Sequence, residues 1–386
     1  MTRAVGVGLI GLGWMGTLHT KAYRAVAGTY PELGVRLELV HAADSTEERT
    51  RYAREVLGYQ RVSTDYRDVL ADPTVDVVSI CAPNALHREI AVAAAEAGKA
   101  FWIEKPVGLH AGETADIASA AEKAGVVTSV GFNYRHAPAV VRIRELVASG
   151  DLGRITSVRC VFLNGQAADP SVALSWRFQR ELGGNGVLGD LLSHVVDLVR
   201  YAVGDDITEV AAASAIVHPR RPLVAMGSGT HFTRVEGGPQ GEVENEDYAA
   251  ALIRLSGGAI GTCEVSRVVV GPECALVLEV YGTRGSAVWD FERMNELRWS
   301  RAGSAGYTVE LGNARMGDYA RFQPGPGVAM GYDDLKVIEA ARFLAAVQSG
   351  DSGQTATAAD ALVAAEVVRA VERAAQGSRW VKVEQR

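Results

Sequence analysis

Three short motifs of this sequence carry residues that can do chemistry: GLGWMG at 11–16, EKP at 104–106 and GDLLSH at 189–194. Glycines spaced G-x-G-x-x-G at the start of a helix can bind the phosphates of a dinucleotide. A lysine can hydrogen-bond an alcohol and ease its deprotonation, and a histidine can take up the proton. These three groups are what the oxidation of an alcohol with a nicotinamide cofactor requires.

The glycine motif fits the pattern in two overlapping registers, which start at residues 6 and 11. We prefer Gly11, Gly13 and Gly16 because a full predicted strand precedes them and a predicted helix follows. These glycines allow a tight turn and a close approach of the backbone to a pyrophosphate. The alternative is a glycine-rich strand end that binds nothing.

Asp44 ends the second predicted strand, where an acid can bind both hydroxyls of an adenosine ribose and repel a 2′-phosphate. It lies 28 residues after Gly16 (44 − 16), beyond the usual spacing of about 20, and an insertion at 28–36 accounts for the excess. NAD is therefore the favoured cofactor. NADP stays open because Arg49 follows five residues later.

Lys105 follows a short apolar strand and precedes a proline, which keeps it out of the α region and places it at an extended strand end. Ligands of open α/β sheets bind outside the carboxyl ends of the strands. We therefore expect Lys105 to face the cofactor crevice. The alternative is an ordinary solvated lysine.

Asp190 and His194 lie four residues apart in a predicted helix over 186–203, so they share one face. Leu191, Leu192, Val195, Val196, Leu198 and Val199 surround them with apolar side chains, so two polar groups there need a reason. We expect His194 to act as a general base, with Asp190 binding substrate or holding the imidazole. The alternatives are a satisfied core histidine and a metal-ligand pair. Because no third ligand has suitable spacing, we predict no metal.

The elements around these motifs divide the chain near residue 132, into domains 1–132 and 133–386. The first domain alternates strands with helices, which indicates βαβ units and a doubly wound parallel sheet. The second has a series of strands separated by glycine turns, which predicts an α+β domain with an antiparallel meander. A stretch rich in proline, glycine and charge, 218–246, is predicted to be a surface loop. The predicted strands are 4–10, 37–43, 75–81, 100–103, 126–132, 153–162, 208–217, 247–255, 259–265, 275–281 and 286–290, and the predicted helices are 14–27, 46–57, 85–97, 111–124, 138–149, 186–203, 332–348 and 358–375.

Composition excludes several classes of protein. The chain has 386 residues and a net charge of −7 without a basic stripe, which argues against nucleic acid as a partner. Since no apolar run reaches the 18 residues of a membrane span, we expect no membrane insertion. We interpret the N-terminus as a first strand and not a signal peptide. Four scattered cysteines argue against a disulfide framework and a cysteine zinc site, so we expect a cytoplasmic protein.

The three motifs, in this order and spacing, resemble the Gfo/Idh/MocA oxidoreductase family over nearly the whole chain. The resemblance implies a Rossmann domain followed by a domain with a large, open, mostly antiparallel sheet, through which the chain forms a homodimer or homotetramer. It implies that Lys105 touches substrate and the nicotinamide ribose, that His194 is the acid/base group, and that Asp190 binds a substrate hydroxyl. Together with the turn at 82–84, the implied cofactor-binding residues are Gly11, Gly13, Trp14, Met15, Gly16, Asp44, Ala82, Pro83, Asn84, His87, Glu104 and Lys105.

A narrower likeness is carried by FNYR at 132–135, ADP at 168–170, SWRFQ at 175–179 and GY at 331–332. These resemble the levoglucosan-dehydrogenase-like and inositol-dehydrogenase-like subgroup, whose members oxidise ring hydroxyls. The sequence departs from it at 164–166, where NGQ replaces an acidic-aromatic pair, so a different cyclic polyol is expected. Trp176 and Tyr332 can supply a ring face or be core aromatics. The predicted substrate-binding residues are Lys105, Asn133, Tyr134, Gln166, Trp176, Arg177, Asp190, His194 and Tyr332.

The sequence thus predicts an NAD-dependent oxidoreductase that moves a hydride between nicotinamide and a ring secondary alcohol of a sugar, glycoside or cyclitol. One alternative is an NADPH-dependent biosynthetic reductase of a ketosugar or cyclitol, which would use the same groups in the other direction. Another is a dinucleotide-sensing protein without turnover. That last class is expected to lose the lysine or the histidine, and both are present here.

Overall fold

A computed structural model describes residues 3–224 and 233–384 of the chain. They form two compact units. The first comprises the chain up to Gly108, Gly112–His136 and Met330–Leu362, and the second comprises Leu109–Ala111, Ala137–Ala329 and the chain from Val363. The division that we drew from the sequence, at residue 132, falls four residues before the end of Gly112–His136. That division also assigned Met330–Leu362 to the second domain, whereas its contacts place this segment in the first unit.

Helices and strands occur in both units. The α-helices of the described residues are α1 Trp14–Thr29, α2 Glu47–Glu55, α3 Tyr66–Ala71, α4 Asn84–Glu96, α5 Ala111–Ala124, α6 Pro138–Ala148, α7 Arg180–Gly183, α8 Ser193–Val203, α9 Tyr319–Phe322, α10 Tyr332–Ser349 and α11 Ala358–Gly377. The strands are β1 Arg3–Ile10, β2 Val35–Ala43, β3 Arg61–Ser63, β4 Val77–Ile80, β5 Ala100–Ile103, β6 Thr128–Val130, β7 Ile155–Leu163, β8 Ile207–Ala215, β9 Arg220–Pro222, β10 Gln240–Glu242, β11 Tyr248–Leu255, β12 Ile260–Ser266, β13 Ala275–Gly282, β14 Gly285–Asp290, β15 Glu296–Arg301, β16 Thr308–Leu311 and β17 Val381–Lys382.

The first unit is built on a six-stranded parallel sheet in the order β3-β2-β1-β4-β5-β6. This is the strand order of a doubly wound dinucleotide-binding fold, with its switch point between β1 and β4. All residues of β4 are buried, as are the last three of β5, because helices cover both faces of a parallel sheet. The predicted Rossmann domain is confirmed, and β3 is a short additional strand that we did not predict.

The second unit is built on a nine-stranded sheet in the order β16-β15-β14-β13-β7-β12-β11-β8-β17. The sheet is mostly antiparallel, as predicted, but it is not a simple meander. Strand β7 lies between β12 and β13, parallel to the first and antiparallel to the second. The residues of β11 alternate between buried Ala251 and Ile253 and exposed Leu252 and Arg254, so one face of the sheet is covered and the other is open.

Two segments of the second unit differ from the sequence prediction. The helix predicted over 186–203 begins with a π-helical turn, Leu188–Leu192, before α8. The predicted surface loop over 218–246 contains the antiparallel pair β9 and β10 and completely buries Arg221. Within that loop, residues 225–232 lie outside the described residues. The expectation of a solvated loop was therefore wrong for its ends, where polar groups are buried.

Candidate active site

The three glycines of the 11–16 motif have different roles in the turn from β1 to α1. Gly11 has a φ of +94°, and a Cβ there would lie 2.5 Å from the carbonyl of Cys81. A Cβ on Gly16 would collide with the carbonyl oxygen of Gly11. At Gly13, by contrast, a Cβ would meet no atom within 4 Å. The turn is therefore tight at both ends and open in the middle, where a phosphate can approach the backbone.

Asp44 lies against this turn from the end of β2. Its Oδ2 accepts a hydrogen bond of 2.8 Å from the backbone N–H of Leu12, and its Oδ1 accepts one of 3.3 Å from Thr46. Arg49 donates to the carbonyl oxygen of Leu12 over 3.4 Å. The first turn of α1 contains no acidic side chain, so no carboxylate opposes an anion at the positive end of that helix. These features fit a dinucleotide, and the contact of Asp44 with the adenosine ribose stays a prediction.

The turn of Ala82, Pro83 and Asn84 leads from β4 into α4, and His87 supports it. The imidazole of His87 is buried, with Nε2 2.8 Å from the oxygen of Ala82 and Nδ1 2.9 Å from the oxygen of Pro106. Burial lowers the pKa of His87, so the ring is neutral and donates to one of the two oxygens at a time. His87 thus ties the turn to the residue after Lys105. A direct contact with cofactor stays a prediction.

The side chain of Glu104 is buried between His19 and Lys336, and its contact with a cofactor stays a prediction. Its Oε1 lies 2.8 Å from Nε2 of His19 and 2.6 Å from Nζ of Lys336, and Lys336 also donates to Oε2 of Glu339 over 2.8 Å. The ring of His19 stacks on Trp102 with centroids 3.4 Å apart. These contacts fix the strand end from which the half-buried Lys105 extends.

The charges of this network balance. Burial opposes ionisation of Glu104, but the charge of Lys336 and the hydrogen bonds of His19 and Lys336 together outweigh it and hold the pKa of the carboxyl well below its usual range. Burial raises the pKa of Glu339 to about 8, against the attraction of Lys336. Burial also lowers the pKa of His19 to about 4. At neutral pH, one carboxylate therefore faces one ammonium group, while Glu339 and His19 are uncharged.

An aromatic group lies beside the glycine motif in the first unit. Trp14, the first residue of α1, is 68% exposed and stacks on Tyr332 with centroids 5.8 Å apart and planes 16° apart. Tyr332 also meets the edge of Tyr134 at 6.1 Å. The neighbouring Asn133 is buried, and its Nδ2 finds no acceptor within the described part of the chain. A buried amide in that state is suited to a ligand oxygen. Met15, half-buried, follows Trp14 in α1.

Asp190 and His194 lie on consecutive turns of the second unit, Asp190 in the π-helical turn and His194 in α8. The close start of this helix depends on Gly186, since a Cβ there would collide with the carbonyl oxygen of Glu246. The imidazole is nearly buried, 6.0 Å from the ring of Phe162, whereas about a quarter of the Asp190 side chain is exposed. π-Helical turns inside helices often occur at functional sites.

The segment that precedes this helix brings further predicted residues next to Asp190. Nη1 of Arg177 lies 3.9 Å from Oδ2 of Asp190, and the guanidinium of Arg177 lies over the ring of Trp176 at 4.5 Å. Gln166 is half-buried at the start of the same segment, and its N–H donates to Oδ1 of Asn164 over 3.3 Å. A carboxylate beside a guanidinium and an indole face is a set that can bind a polyol ring.

Each unit therefore gathers its own share of the predicted residues. In the first, the glycine motif, Asp44, the 82–84 turn and Lys105 follow the carboxyl ends of β1, β2, β4 and β5, at one edge of the sheet. In the second, Trp176, Arg177 and Asp190 come together, and His194 follows Asp190 in α8. Sequence reasoning missed Lys336 and Glu339, although two charges three residues apart in the otherwise apolar stretch 335–341 of α10 were a signal.

Neither metal-binding clusters nor membrane helices accompany these residues. Among residues 3–224 and 233–384, no group of three or more histidine, cysteine, aspartate or glutamate side chains is arranged to hold a metal ion. None of the helices described there combines the length and apolar character that crossing a membrane requires.

Comparison with known proteins agrees with this geometry. The family described as "Oxidoreductase family, NAD-binding Rossmann fold" matches residues 5–132, and the "GFO/IDH/MocA C-terminal domain" matches residues 140–288. Levoglucosan dehydrogenase of Pseudarthrobacter phenanthrenivorans is 36% identical over 99% of this chain and 98% of its own length. Myo-inositol 2-dehydrogenase of Thermotoga maritima is 28% identical over 72% of this chain and 73% of its own.

Solved structures show the same relationship. A structure of levoglucosan dehydrogenase in complex with NADH and levoglucosan has 33% identity and a TM-score of 0.92, and covers 99% of this chain and 100% of its own. The predicted family resemblance, the α/β fold class and NAD as cofactor are thereby confirmed. The chain belongs to the GFO/IDH/MocA family of oxidoreductases, whose N-terminal domain binds NAD.

Proposed function

We propose that this protein is an NAD-dependent dehydrogenase that oxidises a secondary ring alcohol of an anhydrosugar, glycoside or cyclitol. The observation that carries the proposal is the similarity to levoglucosan dehydrogenase over both units, from end to end. Similarity to inositol dehydrogenases supports the wider class of cyclic polyols. The residue types that such a reaction needs are present in the motifs at 11–16, 104–106 and 189–194.

The roles follow from the chemistry of each side chain. The cofactor supplies hydride-transfer chemistry at the carbinol carbon. His194 accepts the hydroxyl proton, since a neutral imidazole is a base near neutral pH. Lys105 donates a hydrogen bond to the same hydroxyl oxygen and stabilises the negative charge that develops on it. Asp190 accepts hydrogen bonds from substrate hydroxyls, next to the guanidinium of Arg177.

Gln166 is the residue most clearly tied to the choice of sugar. It stands in the stretch where the sequence departs from the subgroup, and it offers a neutral amide with donors and an acceptor. We propose that Gln166, Trp176, Asn133 and Tyr134 shape a substrate specificity different from that for levoglucosan. A panel of sugars and cyclitols tests this directly, because the preferred member defines the specificity.

The catalytic roles are tested by Lys105→Ala and His194→Ala. Removing a general base or an electrostatic helper lowers turnover by about 100-fold to 10,000-fold. We expect kcat to fall by at least about 100-fold in each variant while the Kd for NADH changes little. Lys123→Ala, at an exposed lysine in the last turn of α5, is the matched control. Near-normal kcat in both variants would show that the mechanism is wrong.

We further propose that the chain forms a homodimer or homotetramer through the open face of the nine-stranded sheet, in the cytoplasm. Leu252 and Ile260 are about half exposed on neighbouring strands of that face, and large exposed apolar side chains favour an interface. Light scattering after gel filtration measures the mass. A monomer at micromolar concentration, unchanged in Leu252→Glu, would contradict the proposal.

A further inference from the structure

Two arginine side chains lie over the ring of Phe178 in the interior of the second unit. The Cζ atoms of Arg221 and Arg267 are 4.5 Å and 4.3 Å from the ring centroid. All three residues are buried, with exposures of 0%, 5% and 2% for Arg221, Arg267 and Phe178. We refer to these three residues as the arginine–phenylalanine cluster. Burying two guanidinium groups together costs free energy unless both are well hydrogen-bonded, so their hydrogen-bond partners indicate what the two arginines hold in place.

Arg221 is bonded to the backbone of the segment that begins after Gln166. Its Nη2 donates to the carbonyl oxygen of Ala167 over 2.6 Å, and its Nη1 donates to that of Asp169 over 3.0 Å and to that of Val172 over 3.5 Å. Before Trp176 this segment has no helix or strand, only an isolated β-bridge between Val172 and Arg234, so no continuous sheet or helix ladder holds its backbone. The planar guanidinium of arginine can donate to several carbonyl oxygens at once, which the single ammonium group of lysine does less well.

Arg267 holds the other end of the segment. Its Nε lies 2.8 Å from Oδ1 of the buried Asp247, and its Nη2 donates to Oδ1 of Asn245 over 2.9 Å. Asn245 donates in turn to the carbonyl oxygen of Arg177 over 3.0 Å, and Nη1 of Arg267 lies 3.5 Å from the same oxygen. The backbone of Arg177 is therefore fixed where its guanidinium lies 3.9 Å from Asp190.

We propose that the arginine–phenylalanine cluster is a positioning element that holds residues 166–177 in their sugar-binding conformation and so sets the KM for the sugar. The proposal rests on the proposed function, which places Gln166, Trp176 and Arg177 against the substrate. Arg221 and Arg267 touch no substrate in this account. They act through the backbone that carries those three side chains, so their loss affects sugar binding more than the chemical step.

The test compares Arg221→Lys with the control Arg220→Lys. Both variants keep the charge, but Arg220 is exposed, and the one side-chain hydrogen bond described for it goes to the carbonyl oxygen of Gln240 at 3.4 Å. We measure kcat and KM for the best sugar of the panel, the Kd for NADH by fluorescence, and amide hydrogen exchange in residues 166–177. We expect Arg221→Lys to raise the KM at least tenfold, leave kcat within threefold and NADH affinity within twofold, and accelerate exchange in that segment. Arg220→Lys is expected to match the wild type.

Several outcomes would overturn the inference. Unchanged exchange in Arg221→Lys would show that Arg221 does not hold the segment, and faster exchange with an unchanged KM would show that the segment does not set sugar affinity. If Arg221→Lys does not fold, Phe178→Leu, which keeps both cations, is measured in the same way. If the wild type is inactive on every sugar, both the proposed function and this inference are contradicted. If the wild type is active and Arg221→Lys has the same KM and the same amide exchange, the inference alone is contradicted.

Discussion

Replacing Lys336 by methionine tests the buried charges behind Glu104. The side chain of Lys336 is completely buried, and its Nζ lies 2.6 Å from Oε1 of Glu104 and 2.8 Å from Oε2 of Glu339. Methionine has a similar volume and no charge. In Lys336→Met, the Glu104 carboxylate stays buried, and among the described residues the neutral His19 is the side-chain partner that is left. Removing one member of a buried ion pair costs about 3–5 kcal/mol, and we expect a loss of that size.

The assay is urea unfolding, followed by tryptophan fluorescence and circular dichroism. Lys21→Met is the matched control, because Lys21 of α1 pairs with Asp333 of α10 at 3.6 Å and both side chains are mostly exposed. Such a surface pair is worth about 0–1 kcal/mol. We also expect Lys336→Met to lower kcat, since Glu104 fixes the strand end that carries Lys105.

The double variant Lys336→Met/Glu104→Gln identifies the cause of the loss. If the loss comes from an uncompensated carboxylate, neutralising Glu104 restores part of the stability, and the double variant is more stable than Lys336→Met alone. A Lys336→Met variant as stable as Lys21→Met would refute the reasoning. Strictly additive effects in the double variant would refute it as well, because they would show that the two charges do not interact.

Three further perturbations follow from the site. Gly13→Ala is expected to change the free energy of unfolding by less than about 1 kcal/mol but to weaken the affinity for NADH about 10-fold to 100-fold, the value of one lost charge-assisted hydrogen bond. Gly16→Ala is expected to lower the stability as well, because its Cβ would collide with the backbone. Equal stability of the two variants in urea unfolding would contradict this. Asp44→Ser removes the charge that repels a 2′-phosphate, so the ratio of kcat/KM for NADP⁺ to that for NAD⁺ is expected to rise at least tenfold. An unchanged ratio would show that Asp44 does not select the cofactor. Because burial raises the folded-state pKa of Glu339 from 4.5 to about 8, its contribution to stability is present below about pH 4.5 and is lost as the pH rises to 8. Glu339→Gln is therefore expected to gain stability relative to wild type over that window, by at most about 1.4 kcal/mol per pH unit. A difference in unfolding free energy that stays constant with pH would contradict this prediction.

The first unit was predictable because its signals are local. The strands of a parallel sheet are continuous apolar runs, and β1, β2, β4 and β5 each end where a motif residue begins. β3 escaped prediction because its three residues, RVS, are short and half polar. The membership of Met330–Leu362 in the first unit was not predictable, since it depends on contacts such as Lys336 with Glu104, 232 residues apart.

The second unit was predictable in class but not in order. Strand β7 precedes the others in the chain yet lies in the middle of the sheet, and sequence alone carries no signal for that insertion. Strands β15 and β16, at one end of the sheet, were missed because charged residues interrupt their apolar pattern. The spacing of Asp190 and His194 predicted a shared helix, but nothing in it indicated a π-helical turn. Arg221 was hidden in a stretch whose composition is typical of solvated loops.

The most direct test of the central claim is the absorbance at 340 nm when the protein is mixed with NAD⁺, and then NADP⁺, and a panel of cyclic polyols. The panel contains levoglucosan, simple pyranosides, free hexoses and inositols. We predict growth of absorbance with NAD⁺ and at least one of these classes, and its loss in His194→Ala. No growth with any member and either cofactor, in a preparation that binds NADH by fluorescence, would contradict the account.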